Sequence, residues 1–572
     1  MNLKISHKKT KYFGFILLGL LLFSYWPIII KNPILNYDDH SLIDPLQSIH
    51  QLKDYFWALK NGIISDLQPI RDFSYFLDFF LENQISFLNA HTLQFLLWPI
   101  LLYQWFKIFN RTLADKKLVI IFIFMLAFFP LFSTSVAWLS ARKHLLSALF
   151  STMLLNYFLD LKNGDNYKLK EKWVMWTLYL LSAFSHPINA LVSFFILGKL
   201  FFDKKLKKEF TFAFVLILLS AFVLGLNYFY YRVIYPQFNF NLSKLVISND
   251  SKMSFALLGL GRYFYLSINP FDALPTSHYI GSVQNMVGLI LLPLFFWGSF
   301  RFLKAKNPKV LKNEYPLSWL LFLLPLFIVL ISPTNIFCSD TYLLNSTFAI
   351  WLIFALVLEQ FLSKQFIYIT LILFTSILFF YNLNYIKHFS NDESLFRYAY
   401  QKEATPFSIS VLANIEVEKN NLETSRLLVD QLEKWDSNNP FICRLKSKNV
   451  YYDKSLSSVE KLNKLNNLIP SCPTKNLYLA ALHAREMNSH FFMQHFSFIF
   501  SDKNQTNLEL SQSIVDILAF GQNFCERIKS ADCKTEIEKH KIFFIKSSNL
   551  TRFNQTLTFF QKQKNLDIEL RL

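Results

Sequence analysis

Residues 12–30 read YFGFILLGLLLFSYWPIII. No charge interrupts the run, and as a helix it is long enough to cross the ~30 Å of bilayer hydrocarbon. Lys4, Lys8, Lys9 and Lys11 precede it, as basic residues precede a secretory signal. The run is longer than a signal core, and Trp26-Pro27 and Lys31 stand where a small-residue cleavage site would be needed. The reading is an uncleaved signal-anchor helix with its N-terminus in the cytoplasm.

Outward from this helix the same texture continues. Hydrophobic residues make up 53% of the 572-residue chain, too much for a soluble protein of this length. Further candidate spans lie at about 88–107, 118–138, 143–161, 172–185, 187–202, 209–230, 283–300, 317–333, 345–362 and 366–384. From residue 385 onward Lys, Asn, Glu and Ser rise, and apolar residues fall at helical spacing. The fold class is therefore all-α: a polytopic membrane bundle of about eleven spans over residues 1–384, then a soluble helical domain over 385–572.

The net charge of +18 is not a nucleic-acid signature, because much of it sits in short loops between spans. Four such loops are basic: Lys107 to Lys117, Lys162 to Lys172, Lys204 to Lys208 and Arg301 to Lys312. All four lie on the cytoplasmic side, as the positive-inside rule asks, if the apolar stretch 254–270 does not cross. Gly259, Gly261, Arg262 and Pro270 mark that stretch as re-entrant or interfacial; were it to span, everything after it would invert. This topology puts the first loop, 31–87, the Ser140–Lys143 turn, the Ser185-His186-Pro187 break, the Cys338-Ser339-Asp340 turn and the tail outside. The expected location is a cytoplasmic (inner) membrane with the tail periplasmic.

Four of the five cysteines, Cys443, Cys472, Cys525 and Cys533, fall in that tail. An even number in a non-cytoplasmic region predicts two disulfides, with 443–472 and 525–533 preferred among three possible pairings. No zinc-ligand spacing accompanies them, so no metal is assigned. Pro406, Pro440 and Pro470 recur near the 34-residue period of tetratricopeptide repeats. They predict helix pairs 408–419 with 422–434, 442–452 with 456–468, and 476–486 with 490–501. The small consensus residues are mostly absent, and an irregular helical domain is the competing reading.

Just past the first helix stands Asn36-Tyr37-Asp38-Asp39-His40. Two adjacent carboxylates beside hydrocarbon are costly and call for a helix-capping turn, a metal or proton chemistry. Three further segments follow: Gln68-Pro69-Ile70-Arg71-Asp72-Phe73-Ser74-Tyr75-Phe76-Leu77-Asp78, Asn89-Ala90-His91, and Val136-Ala137-Trp138-Leu139-Ser140-Ala141-Arg142-Lys143-His144-Leu145-Leu146. Each has a plainer reading. Arg142-Lys143 fits basic side chains reaching from a helix end to the interface. Arg71-Asp72 fits a local surface pair, His91 and His186 fit satisfied polar residues inside the bundle, and Asp340 fits a helix cap.

Taken in order, these segments resemble the GT-C membrane glycosyltransferases, most closely the transmembrane-and-tetratricopeptide O-mannosyltransferase-like proteins. The V-A-W…R-K string is the most specific piece. Cys338-Ser339-Asp340-Thr341-Tyr342-Leu343 and Asp392-Glu393-Ser394-Leu395-Phe396 are similar too. Gln68, Gln94, Phe129, Thr134, Thr341 and His186 depart from the family pattern. The resemblance implies transfer of a sugar from a polyisoprenyl-phosphate donor to a protein Ser/Thr hydroxyl or a glycan outside the membrane. It makes Asp39, with Asp38 as the alternative, the catalytic base, since adjacent like charges keep one of the pair basic. Arg71, Arg142 and Lys143 become the donor-phosphate partners, and His91, His186 and Asp340 auxiliary groups.

There is no nucleotide-binding glycine fingerprint, P-loop or H-E-x-x-H, and a donor carried on lipid requires none. No cofactor is assigned beyond that donor, and a divalent metal is left open. The alternative is a non-catalytic envelope scaffold that binds partners through its tail, which Thr134 and Thr341 favour. A lipid-linked-saccharide transporter ranks third.

Overall fold

The computed structural model describes residues 7–35, 51–60, 67–84, 89–161, 167–202, 208–230, 249–274, 283–306, 343–361, 364–435, 440–468 and 520–544. Asp39, Ile43, Leu46, Ile64, Tyr478, Leu479, Leu482, His483 and Leu518 are described as single residues. Among the described residues the protein is all-α, with no strand. The helices are α1 His7–Lys31, α2 Leu52–Lys60, α3 Pro69–Gln84, α4 Ala90–Thr112, α5 Lys116–Ala127, α6 Pro130–Ala137, α7 Arg142–Asp160, α8 Leu169–Ser185, α9 Val192–Phe202 and α10 Phe210–Phe229. Then come α11 Asn249–Ile268, α12 Val283–Lys306, α13 Leu344–Leu358, α14 Lys364–Lys387, α15 Asp392–Lys402, α16 Pro406–Glu418, α17 Leu422–Trp435, α18 Pro440–Tyr452, α19 Ser458–Asn466 and α20 Ala531–Phe544.

Four of these helical segments are long and apolar enough to cross a membrane: Tyr12–Lys31, Phe210–Phe229, Val283–Lys306 and Lys364–Ser390. Helices α5 and α6 qualify together as a fifth, bent by 55° at Phe128-Phe129. The other expected spans from 88 to 202 and at 345–362 are helices too, but they are shorter or carry more polar residues. Phe15 on α1, Phe222 on α10, Leu294 on α12 and Phe380 on α14 are exposed, as lipid-facing side chains are. The expected span 317–333 lies outside the described residues.

The chain divides into two compact units, residues 1–47, 64–234 and 242–403, and residues 48–63, 235–241 and 404–572. The first unit has two chemically distinct ends. At one, Arg111 pairs with Asp160 and Lys172 with Glu209. There Asp115 caps α5 through the Lys117 amide at 3.0 Å and meets Lys364 Nζ at 3.4 Å. The Asp115 amide donates to Glu359 at 2.7 Å, and Phe302 stacks on Phe361 at 5.5 Å. Residues at the edges of all four basic loops are thus gathered at this end. Helices α4 and α7 run from the other end into this one, and α6, α8 and α14 run back towards the other end, so Asn32–Leu35, Asp39, Gln68–Arg71, Asn89–His91, Ser140–Arg142 and His186 collect opposite the basic loops.

Helix α11 covers the stretch expected to be re-entrant or interfacial, and it is unbroken from Asn249 to Ile268. A doubling-back path needs a turn inside the segment, so that half of the expectation is corrected. Arg262 reaches Glu403, and Lys402 donates to the Phe271 carbonyl just beyond the helix. Its second half therefore stays beside residues 402–403 and does not run to the opposite end. It packs on α12 through glycine: a Cβ on Gly288 would stand 1.9 Å from the Gly261 carbonyl oxygen. No side chain fits there, and the two backbones touch because both residues lack one.

In the second unit, α16 begins where Thr405 caps it and Pro406 supplies its first residue, since proline's missing N–H costs nothing in a first turn. Asn420, at φ 62°, turns the chain into α17. Helices α16, α17 and α18 pack consecutively around Ser425, which donates to the Ala413 carbonyl and accepts from Asn449, each at 2.9 Å. Lys448 on α18 reaches back to Asn414 and Glu418 on α16 at 2.7 and 3.0 Å. Most of the third expected helix pair lies outside the described residues. Cys525 and Cys533 form a disulfide, as expected. Cys443 is disulfide-bonded as well, and its expected partner, Cys472, lies outside the described residues.

Candidate functional site

The site grows from the end of α1. Asn89 caps α4 by accepting the Thr92 N–H at 2.9 Å, and its own amide donates to the Ile29 carbonyl at 2.7 Å. One asparagine thus starts one helix and fastens the end of another. Two residues on, His91 Nε2 lies 2.8 Å from the Pro33 carbonyl oxygen. A carbonyl only accepts, so Nε2 carries the proton, and in the neutral ring the buried Nδ1, which has no partner among the described residues, is an acceptor. This corrects the auxiliary role expected for His91: its Nε2 donor is already spent on backbone.

Asp39 is fully buried. Its Oδ2 accepts the Leu35 N–H at 3.0 Å, and its Oδ1 accepts the Ser140 N–H at 2.8 Å. The first bond closes a local turn. The second clips the acidic stretch to the Leu139–Ala141 turn that launches α7.

Arg142 is almost wholly buried and is the hub of the cluster. Its guanidinium pairs with Asp78, donates to the Ala90 carbonyl at 2.8 Å, the Gln94 side chain at 3.2 Å and the Ser74 carbonyl at 3.3 Å, and lies over the Tyr75 ring at 4.6 Å. Gln94 in turn donates to the Ser135 and Trp138 carbonyls at 2.8 and 2.6 Å. Arg142 therefore ties α3, α4 and α7 together before it does anything else, and it is not the interface-reaching helix-end residue of the plainer reading. Arg71 pairs with Asp72 through Nη2 at 2.6 Å and Nε at 2.8 Å, with Gln68 alongside at 3.3 Å. Both partners are fully buried, so the surface-pair reading is corrected: helix α3 carries this pair inward, where Gln68 supplies an added polar contact.

The Tyr75 hydroxyl donates to the Leu139 carbonyl at 2.7 Å, and burial pushes it above its ordinary range. Arg142, Arg71, Asp39 and Asp78 all act on it electrostatically. The structure thus brings together Asp39, Arg71 and Arg142 of the expected site. Burial also pushes the Asp78 carboxyl up to about 6, against the pull of Arg142. Lys143 is half-buried, and His144 and His186 pack ring to ring at 4.7 Å. Lys143 and Arg71 are close enough to act on His144, so His186 borders a basic neighbourhood. Asp38 and Asp340 lie outside the described residues.

Sequence reasoning missed Asp78, Tyr75 and Gln94 as site residues. A signal existed for α3: residues 71, 75 and 78 recur at three- and four-residue spacing and so share one helix face. Thr134, which departs from the family pattern, is buried and meets the Tyr385 hydroxyl at 2.9 Å. Among the described residues no three His, Cys, Asp or Glu side chains gather as metal ligands. Comparison of the chain with protein-family models, curated proteins and solved structures finds no match.

Proposed function

We propose that this is a polytopic membrane glycosyltransferase of the GT-C kind. It takes a sugar from a polyisoprenyl-phosphate donor and places it on a protein Ser/Thr hydroxyl or a glycan, on the membrane face away from the basic loops. The observation that carries the reading is the clip from Asp39 to the Ser140 amide. It joins the acidic stretch of the first loop to the start of the Arg142-Lys143 helix, at the end opposite the cytoplasm-facing charge. The full bundle of about eleven spans, the inner-membrane location and a periplasmic tail belong to this reading, and the tail disulfide supports the side assignment. A tetratricopeptide-like tail is supported by Asn414 and Lys448, bonded across 34 residues between first helices of successive pairs.

In the reaction the acceptor oxygen attacks the anomeric carbon and its proton passes to a carboxylate. The bond from that carbon to the phosphate oxygen breaks, and the electron pair leaves on the phosphate. Asp39, with both oxygens holding backbone N–H groups, anchors the turn, and its chain neighbour Asp38 takes the role of proton acceptor. Lys143 and Arg71 face the donor phosphate with the His144–His186 pair beside them. Arg142 holds their helices in place. His91 offers an acceptor nitrogen, and Asp340 stays an auxiliary group. The test is transfer from a polyprenyl phosphosugar in reconstituted vesicles. Asp38→Asn should abolish it while leaving thermal stability intact; full transfer by Asp38→Asn and Asp39→Asn alike would overturn the mechanism.

The non-catalytic scaffold is the second reading, favoured by the Thr134–Tyr385 bond at a position where the family that the chain resembles often carries an acid. It predicts that Asp38→Asn with Asp39→Asn leaves the cellular phenotype intact, whereas deletion of 400–572 abolishes it.

A further inference from the structure

We propose that Asp78 is a positioning residue for the donor phosphate: through its pairing with Arg142 it decides how much positive charge the phosphate meets, so donor binding takes up a proton at Asp78. The inference rests on the transferase reading above.

Asp78 is buried, with Oδ2 on Arg142, while Oδ1 accepts no hydrogen bond among the described residues. A buried carboxylate oxygen without a donor disfavours the charged form, so the pair is poised to lose its negative partner. The charged groups acting on Asp78 are Arg142 from α7 and Glu82 from its own helix. Tyr75 lies under the same guanidinium. Helix α4 brings Gln94 and the Ala90 carbonyl to Arg142, and His91 stands close enough to feel its charge. Helix α8, also packed on α3, ends beside His186, which sits against His144.

The guanidinium is held by Ser74, Ala90 and Gln94 as well as by Asp78. It therefore stays in place, and stays charged, when Asp78 is protonated. What changes is the local charge: near zero for the ionised pair, close to +1 once Asp78 is neutral. Burial places that change near pH 6. Arg142 and Arg71 both act on Tyr75, so the uncompensated charge falls within reach of the phosphate partner Arg71. One unit charge ~8 Å away in a half-solvated site changes anion affinity roughly fivefold.

The probe is a short-chain polyprenyl phosphosugar, a phosphodiester whose own charge is constant across the range. Its binding to the full-length protein in nanodiscs is measured by calorimetry at several pH values and in buffers of different ionisation enthalpy. Affinity should tighten roughly fivefold as pH falls through about 6, with proton uptake on binding above that pH. Asp78→Asn should bind tightly at every pH with no proton uptake. Because Asn leaves Arg142 without its anion and can impair folding, Asp78→Glu is the companion: it should keep the pH dependence with a displaced midpoint. A merely structural role would lower the amount of folded protein and leave the pH profile where it was. Phosphosugar binding that ignores pH in the wild type overturns this inference alone. No binding at any pH overturns the transferase reading and this inference with it.

Discussion

Replacing Asp39 by Asn tests whether the carboxylate is an anchor before it is anything else. The side chain holds the Leu35 N–H at 3.0 Å and the Ser140 N–H at 2.8 Å, both in a buried setting. An amide keeps one accepting oxygen and turns an NH2 towards the other N–H, so one charge-assisted bond is lost and one buried donor is left bare. The combined cost is about 2–3 kcal/mol. It falls on two short segments and not on the whole bundle, because α1, α4 and α7 retain the Asn89 and Arg142 bonds. Amide hydrogen exchange read by mass spectrometry should therefore show protection lost by about 30–150-fold at residues 34–35 and 138–141. Peptides from α5 and α14 should be unchanged. Unaltered exchange at Ser140 and Leu35 in the variant would refute the clip, and with it the reading of Asp39 as an anchor.

Gly288→Ala should be among the worst single changes in the first unit. Its Cβ would lie 1.9 Å from the Gly261 carbonyl oxygen, so α11 and α12 must part, at a cost of about 3 kcal/mol or more; a thermal melt in detergent as stable as the wild type would contradict this. Cys525→Ser should destabilise the tail by about 2–3 kcal/mol, the loop-closure value for a short loop, with a separation of 8 residues here. The same loss should appear when the wild-type chain is melted under a reductant. Asp78 carries a raised pKa, about 6 against an ordinary 3.8, so between these values the folded state binds more protons than the unfolded. Its contribution therefore falls as pH rises, by about 3 kcal/mol in all, and Asp78→Asn should flatten the stability profile between pH 4 and 6.

Much of the fold was legible because it is local. Asp115, Thr405 and Ser457 start helices through bonds to amides two or three residues away. Apolar runs marked helices, and Pro406 marked the start of a helix pair. The basic loops predicted one common end, and the contacts at Asp115, Glu209 and Phe361 gather them there. Less was legible in the site. Arg71-Asp72 is a dipeptide whose surface or buried placement depends on which face of α3 packs inward, and the helix alone does not settle that. His91 could be read as a polar residue, but which nitrogen is spent depended on where the Pro33 carbonyl lies.

The sequence by itself determined the all-helical character of the described residues, the apolar segments, the two kinds of texture and the disulfide between near neighbours. Each follows from spacing of a few residues, where backbone geometry leaves few choices. Only the tertiary structure decided that Asp39 meets Ser140 across 101 residues and that Arg142 meets Asp78 across 64. Those meetings depend on how helices cross and on which buried donors still need an acceptor, a condition satisfied once the whole first unit has packed.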